Sequence, residues 1–256
     1  MSKNKSEAIL YPGKTAIILG WVVIFLVFAQ LITHFIERVF ESDLAYGLAR
    51  FFELGTERNV PTFFSICLFV ISAVLFLMVW KAQRARGKPQ WIWMILSGIF
   101  CFLATDELSS LHEQLSPHVK SALGASGIFY FAWIIPYGIA VSVLSIFVIP
   151  VIWRIDKRIR FWFGLSAATF FTGAVGLEML EGWYWETVSN QKDLANYLFM
   201  TFEESLEMIG LVMLVFALLS LLQTDYGGFS IHIPGARGVN VSSHKPDAGV
   251  DIRGVK

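Results

Sequence analysis

The chain has 256 residues, 55% of them hydrophobic and 16% charged, with a formal net charge of zero. A water-soluble domain carries about 25% charged residues, so this composition, with a mean hydropathy of +0.61, excludes an ordinary soluble globule. It also excludes a nucleic-acid partner, because no basic face exists outside short loops.

Six apolar stretches, at 15–37, 61–80, 91–113, 128–153, 161–186 and 197–222, each approach the ~20 residues that a spanning helix requires. The expected fold is an all-α integral membrane bundle, with six transmembrane helices over 1–222 and a flexible tail over 223–256. The first stretch is too long for a secretory h-region and has no A-x-A-like site after it, so it reads as a retained helix. It ends in Gln30, His34, Glu37 and Glu41. Their spacing of i, i+4, i+7 and i+11 aligns them on one helical face.

The second stretch holds Cys67 and runs into Lys81, Arg84, Arg86 and Lys88; the third holds Cys101 and ends in Thr105-Asp106-Glu107 and His112-Glu113. Both cysteines read as small packing residues. Asp106-Glu107-Leu108 resembles a fragment of the alkaline ceramidases, membrane zinc hydrolases with intramembrane histidines. That family's Ser-x-x-x-His and late His-x-x-x-His have no counterpart here, so no role passes to these residues. The fourth stretch has Pro136 and Pro150 but no charge. The fifth carries Glu178 and Glu181 at i, i+3, and Gly164, Ala168, Gly173 and Gly176, small residues that let a helix approach its neighbour. The sixth opens with Glu203, Glu204 and Glu207. Trp91, Trp93, Trp133, Trp183 and Trp185 read as interfacial belt and packing. The tail, with Pro234, Pro246, His232 and His244, reads as a mobile extension with a short ordered segment near Phe229–Ile233.

Fifteen of the twenty Lys and Arg residues fall at one end of the bundle, which the positive-inside rule assigns to the cytoplasm. Both termini then lie there, and the expected location is the bacterial inner (plasma) membrane. Fifteen of the twenty acids lie in the opposite half. That second bias is not required for insertion, since Asp and Glu contribute little to orientation.

At 1.5 Å per residue, Asp106 and Glu107 lie about 22–24 Å from the basic end, Glu178 and Glu181 about 26–30 Å, and Glu203, Glu204 and Glu207 about 22–28 Å. His34, Glu37 and His112 fall at about 27–32 Å. The hydrocarbon core is about 30 Å thick, so four helices deliver ionisable groups to one slab in the outer third of the membrane. Each charge near the centre costs at least ~2.5–3.5 kcal/mol, which requires inward orientation and neutralisation. Glu41, Asp43, Glu186 and Asp193 read instead as wetted helix ends. Arg38 and Arg58 are too few to neutralise the remainder.

Carboxylates with one or two imidazoles from several bundle helices are the ligand set of a dinuclear metal centre. The expected metal ligands are His34, Glu37, Asp106, Glu107, His112, Glu178, Glu181, Glu203, Glu204 and Glu207. The cofactor class is one or more divalent ions, with dinuclear Fe or Mn the nearest analogue; oxygen-rich sites also suit Mg or Ca better than Cu. The expected function is a membrane metalloenzyme, an oxidoreductase or hydrolase, acting on a lipid or quinone-like substrate. The expected partners are membrane lipid and either another membrane protein or a second copy of the chain. A cation or proton transporter and a non-catalytic subunit with an acidic docking face remain as alternatives.

Overall fold

A computed structural model describes residues 7–40, 43–56, 58–87, 90–188, 193–226 and 230–232. The elements in chain order are β1 (Glu7–Ile9), α1 (Pro12–Phe40), α2 (Asp43–Phe52), α3 (Val60–Ala85), α4 (Trp91–Ser109) and α5 (Leu111–Leu123). A 3-10 turn (Gly127–Phe129) leads to α6 (Ile134–Ile152), α7 (Lys157–Phe171), a π-helical segment (Thr172–Leu177), α8 (Glu178–Thr187), α9 (Leu194–Tyr226) and β2 (Ser230–His232). Among the described residues six helical runs are long and apolar enough to cross a membrane: Pro12–Glu37, Val60–Ala85, Trp91–Ser109, Ile134–Ile152, Lys157–Thr187 and Leu194–Tyr226. The chain is a multi-pass membrane protein.

The last span is the hub. Met208, Leu211, Val215, Leu218 and Leu222 are all buried and recur at helical spacing, so they form a stripe. Around α9 pack α1, α3, α7 and the π-helical segment, while α4 packs on α3. Two hydroxyls pin this packing. Ser97 donates to the Ala73 carbonyl and Ser166 to the Gly210 carbonyl, each at 2.8 Å. On α6 only Ile134 is buried; in a bilayer most of that helix faces lipid.

Helix boundaries follow local chemistry. Asn59 accepts from the Thr62 N–H to cap α3, which has Pro61 in its first turn. Such caps satisfy donors that a helix leaves orphaned. The expected span 91–113 is interrupted at Ser110, whose φ is 51°. There α4 stops and α5 turns away with no buried residue. The span expected at 128–153 starts at Ile134, because Gly127 (φ 62°) and the 3-10 turn precede it. At the other end α9 runs to Tyr226, past the boundary expected at 222.

β1 and β2 pair antiparallel, Glu7 opposite His232. The segments flanking the first and last spans therefore meet at one end of the bundle, called here the terminal end. This agrees with an even number of crossings. Glu41, Lys88, Lys192, His244 and the tail beyond His232 lie outside the described residues, as do the side chains of Arg38, Asp43 and His232. Cys67 and Cys101 are both free.

Of the small residues expected to allow close approach, Gly173 does so. A Cβ there would stand 2.7 Å from the Glu203 carbonyl oxygen and 3.2 Å from the Glu207 Cγ. Gly164 meets open space, and Gly176 touches only the Phe171 carbonyl oxygen of its own run, at 3.8 Å. The fifth span is thus fitted to α9 beside the acids, and a second time at Gly210, where a Cβ would stand 2.8 Å from the Phe170 backbone nitrogen.

Candidate functional site

Asp106 is buried on the last turn of α4. Its Oδ1 accepts the backbone N–H of His112 and the phenol O–H of Tyr137, both at 3.0 Å. Its Oδ2 faces His112 Nδ1 at 3.0 Å. The carboxylate therefore supplies an acceptor to the first turn of α5 and holds the imidazole that the same turn carries. A carboxylate can only accept, so Nδ1 carries the proton and Nε2 is left as the basic nitrogen. Burial opposes a charge on His112. The hydrogen bond donated to Asp106 and the negative potential of Asp106, Glu178 and Glu113 outweigh it, so the His112 pKa lies above the ordinary histidine value.

Trp133 joins this pair to the next helix. Its ring meets His112 edge to face, with centroids 5.0 Å apart, and its indole N–H donates to Glu178 Oε1 at 2.7 Å. Glu178 begins α8 immediately after the π-helical segment. Such segments widen the helix by one residue per turn and occur frequently at functional sites. Glu178, Glu203, Glu207, Glu204 and Glu107 are near enough to act on one another electrostatically, with Glu178 and Glu203 facing each other. Asp106, His112, Glu178, Glu203 and Glu207 thus converge from α4, α5, α8 and α9. No Lys or Arg among the described residues pairs with Asp106, Glu178, Glu203 or Glu207; Asp106 pairs with His112, as Glu37 does with His34. Glu181 is buried one turn further along α8.

His34 and Glu37 lie elsewhere. They line a separate cavity of about 160 Å³ with Gln30, Arg50, Glu53 and Tyr197. His34 stacks on Tyr197 with centroids 4.1 Å apart and sits 3.4 Å from Glu37. Gln30 anchors α1 there, donating to Thr201 Oγ1 at 2.8 Å and accepting from the Leu54 N–H at 3.2 Å. Thr201 and Glu203 are two residues apart, hence roughly 200° around α9. Helix α9 therefore parts His34 and Glu37, on the α1 side, from Glu178, Glu203 and Glu207, on the α8 side.

Among the described residues no group of three or more His, Cys, Asp or Glu side chains stands in an arrangement that could hold a metal ion as placed. Two members of the site, Trp133 and Tyr137, were not expected. Their signal in the sequence is an i, i+4 pair of aromatic donors opening an otherwise apolar helix. His118 is exposed, donating from Nδ1 to the Gln114 carbonyl at 3.1 Å, as a solvated residue would.

A family model described as a domain of unknown function, DUF8692, matches residues 16–222. The chain belongs to this family. The matched region holds the middle four spans whole, most of the first and last, and both polar groups, but stops short of the end of α9 and of β2. No curated protein and no solved structure matches the chain.

Proposed function

We propose that this DUF8692 protein is a membrane metalloenzyme whose catalytic centre is the group formed by His112, Glu178, Glu203 and Glu207. Asp106 orients His112 from behind. One observation carries the reading. Three carboxylates and an Asp-oriented imidazole converge from separate helices, and no described Lys or Arg pairs with Asp106 or with the three glutamates. At membrane depth such a group requires protons or a cation. A histidine whose Nδ1–H is held by a carboxylate is the usual arrangement of a metal-bound imidazole. His112 and the three glutamates would hold the ion once side-chain rotation draws them together, since as placed they do not form a ligand set. A divalent ion of the Fe, Mn or Mg type would supply Lewis-acid or redox chemistry to a lipid-borne substrate reaching the site from the bilayer. Glu107 and Glu204 extend the acidic wall, and His34 and Glu37 take no part.

The closeness of Glu178 to Glu203 favours a second reading, in which the acids share protons and work as a metal-free acid–base site. Elemental analysis of detergent-purified protein separates the two. Near-stoichiometric divalent metal, lost in Glu178→Gln and Glu203→Gln but retained in Glu186→Gln, is the expected result. Protein that holds no metal even after titration with Fe, Mn and Mg leaves the proton-sharing site standing and the metal reading refuted.

A further inference from the structure

At the terminal end, remote from the acidic group, an open groove of about 1080 Å³ runs between the first turns of α1 and α7 and the last turns of α9. That volume reaches the top of the ~300–1,000 Å³ range of small-molecule sites, which suits a lipid rather than an ion. The lining changes with depth. Phe216 lies ten residues before the end of α9, about 15 Å along the helix from that end. It meets Trp162 edge to face at 4.9 Å, and Phe161 extends this apolar wall. At the mouth stand Lys14, Lys157 and Arg158, all exposed, with Lys14 Nζ 5.2 Å from the Tyr11 ring centroid. Asp156 is the one acid among the described lining residues; its Oδ1 accepts the Arg158 N–H at 2.9 Å to cap α7. Three basic groups against one acid leave the mouth net positive. The positive ends of the α1 and α7 dipoles add to this.

We propose that the groove binds one anionic phospholipid, its phosphate held by Lys14, Lys157 and Arg158 and an acyl chain laid along Phe161, Trp162 and Phe216. The charge at the mouth and the aromatic wall at acyl depth complement the two halves of that one molecule. Each basic group near an anionic headgroup is worth roughly fivefold in affinity, so the three together give a preference on the order of a hundredfold.

The test uses the full chain in neutral detergent and native mass spectrometry with phosphatidylglycerol or phosphatidylcholine of identical acyl chains. Wild type should retain phosphatidylglycerol selectively. The triple variant Lys14→Gln, Lys157→Gln, Arg158→Gln should lose that selectivity, whereas Lys120→Gln, in α5, should keep it. Should the triple variant not fold, salt answers the same question on wild type. Raising ionic strength from ~0.15 M to ~1 M shortens the Debye length from about 8 Å to about 3 Å and should abolish the preference. Equal retention of both lipids, or selectivity undiminished in the triple variant or at high salt, overturns the proposal. So does equal competition by glycerol phosphate, which would make the groove a site for soluble phosphates.

Discussion

Asp106 uses both oxygens: Oδ1 for the His112 N–H and the Tyr137 O–H, Oδ2 for the His112 ring. Three partners on one buried side chain make its charge and its shape separable by mutation. His112 has a folded-state pKa above its ordinary value near 6.5. Its protonated form is the favoured one, so its stabilising contribution is complete below about pH 6.5 and is lost as pH rises through the raised value. Metal-free protein in detergent should therefore show a thermal midpoint that falls as pH rises from about 6.5. His112→Asn should remove the slope. Asp106→Asn should flatten it, because the amide still accepts at Oδ1 but no longer attracts the imidazolium. A slope unchanged in both variants would place the titrating group elsewhere. Metal loading must displace the same proton, so metal affinity should rise over the same interval.

At the scale of elements, the π-helical segment and α9 are fitted together at Gly173. Alanine there puts a methyl group 2.7 Å from a backbone oxygen that cannot yield without moving α9. Overpacking of this kind costs about 1–3 kcal/mol. Gly173→Ala should lower the thermal midpoint and, by shifting Glu178 against Glu203, reduce metal retention as well. Gly164→Ala, facing open space, should leave both unchanged. Comparable losses from the two variants would mean that the close approach at Gly173 does not hold the site. The same scale accounts for α5. Once Ser110 takes a left-handed conformation, the chain after α4 leaves the span direction, and the Asp106 carboxylate rather than the carbonyl four residues earlier receives the His112 N–H.

For the whole molecule, the pairing of β1 with β2 places both ends of the membrane domain together. The basic loops after α3 and before α7 lie at that same end. Reporter fusions in the α3–α4 loop and at Lys157 should report cytoplasm, and a fusion at Lys120 the opposite side. A cytoplasmic signal at Lys120 would reverse the orientation and place the acidic group on the inner half of the membrane.

The number of spans and their approximate limits were legible in the chain itself. They depend on local quantities: apolar length against bilayer thickness and a fixed rise per residue. Depth alone groups His34 and Glu37 with Glu203 and Glu207. What depth omits is rotation. Each residue turns a helix by about 100°, and which face of α9 meets α1 and which meets α8 is decided by packing between distant segments. That packing sends Gln30 to Thr201 and Gly173 to Glu203, so one expected cluster becomes two. Trp133 and Tyr137 were hidden for the same reason. On a nearly uniform apolar helix nothing local shows which aromatic donors face inward, and only their positions beside Glu178 and Asp106 bring them into the site. The break at Ser110 and the π-helical turn before Glu178 are likewise tertiary outcomes, in which a side-chain acceptor and a close helix contact replace the regular hydrogen-bond ladder.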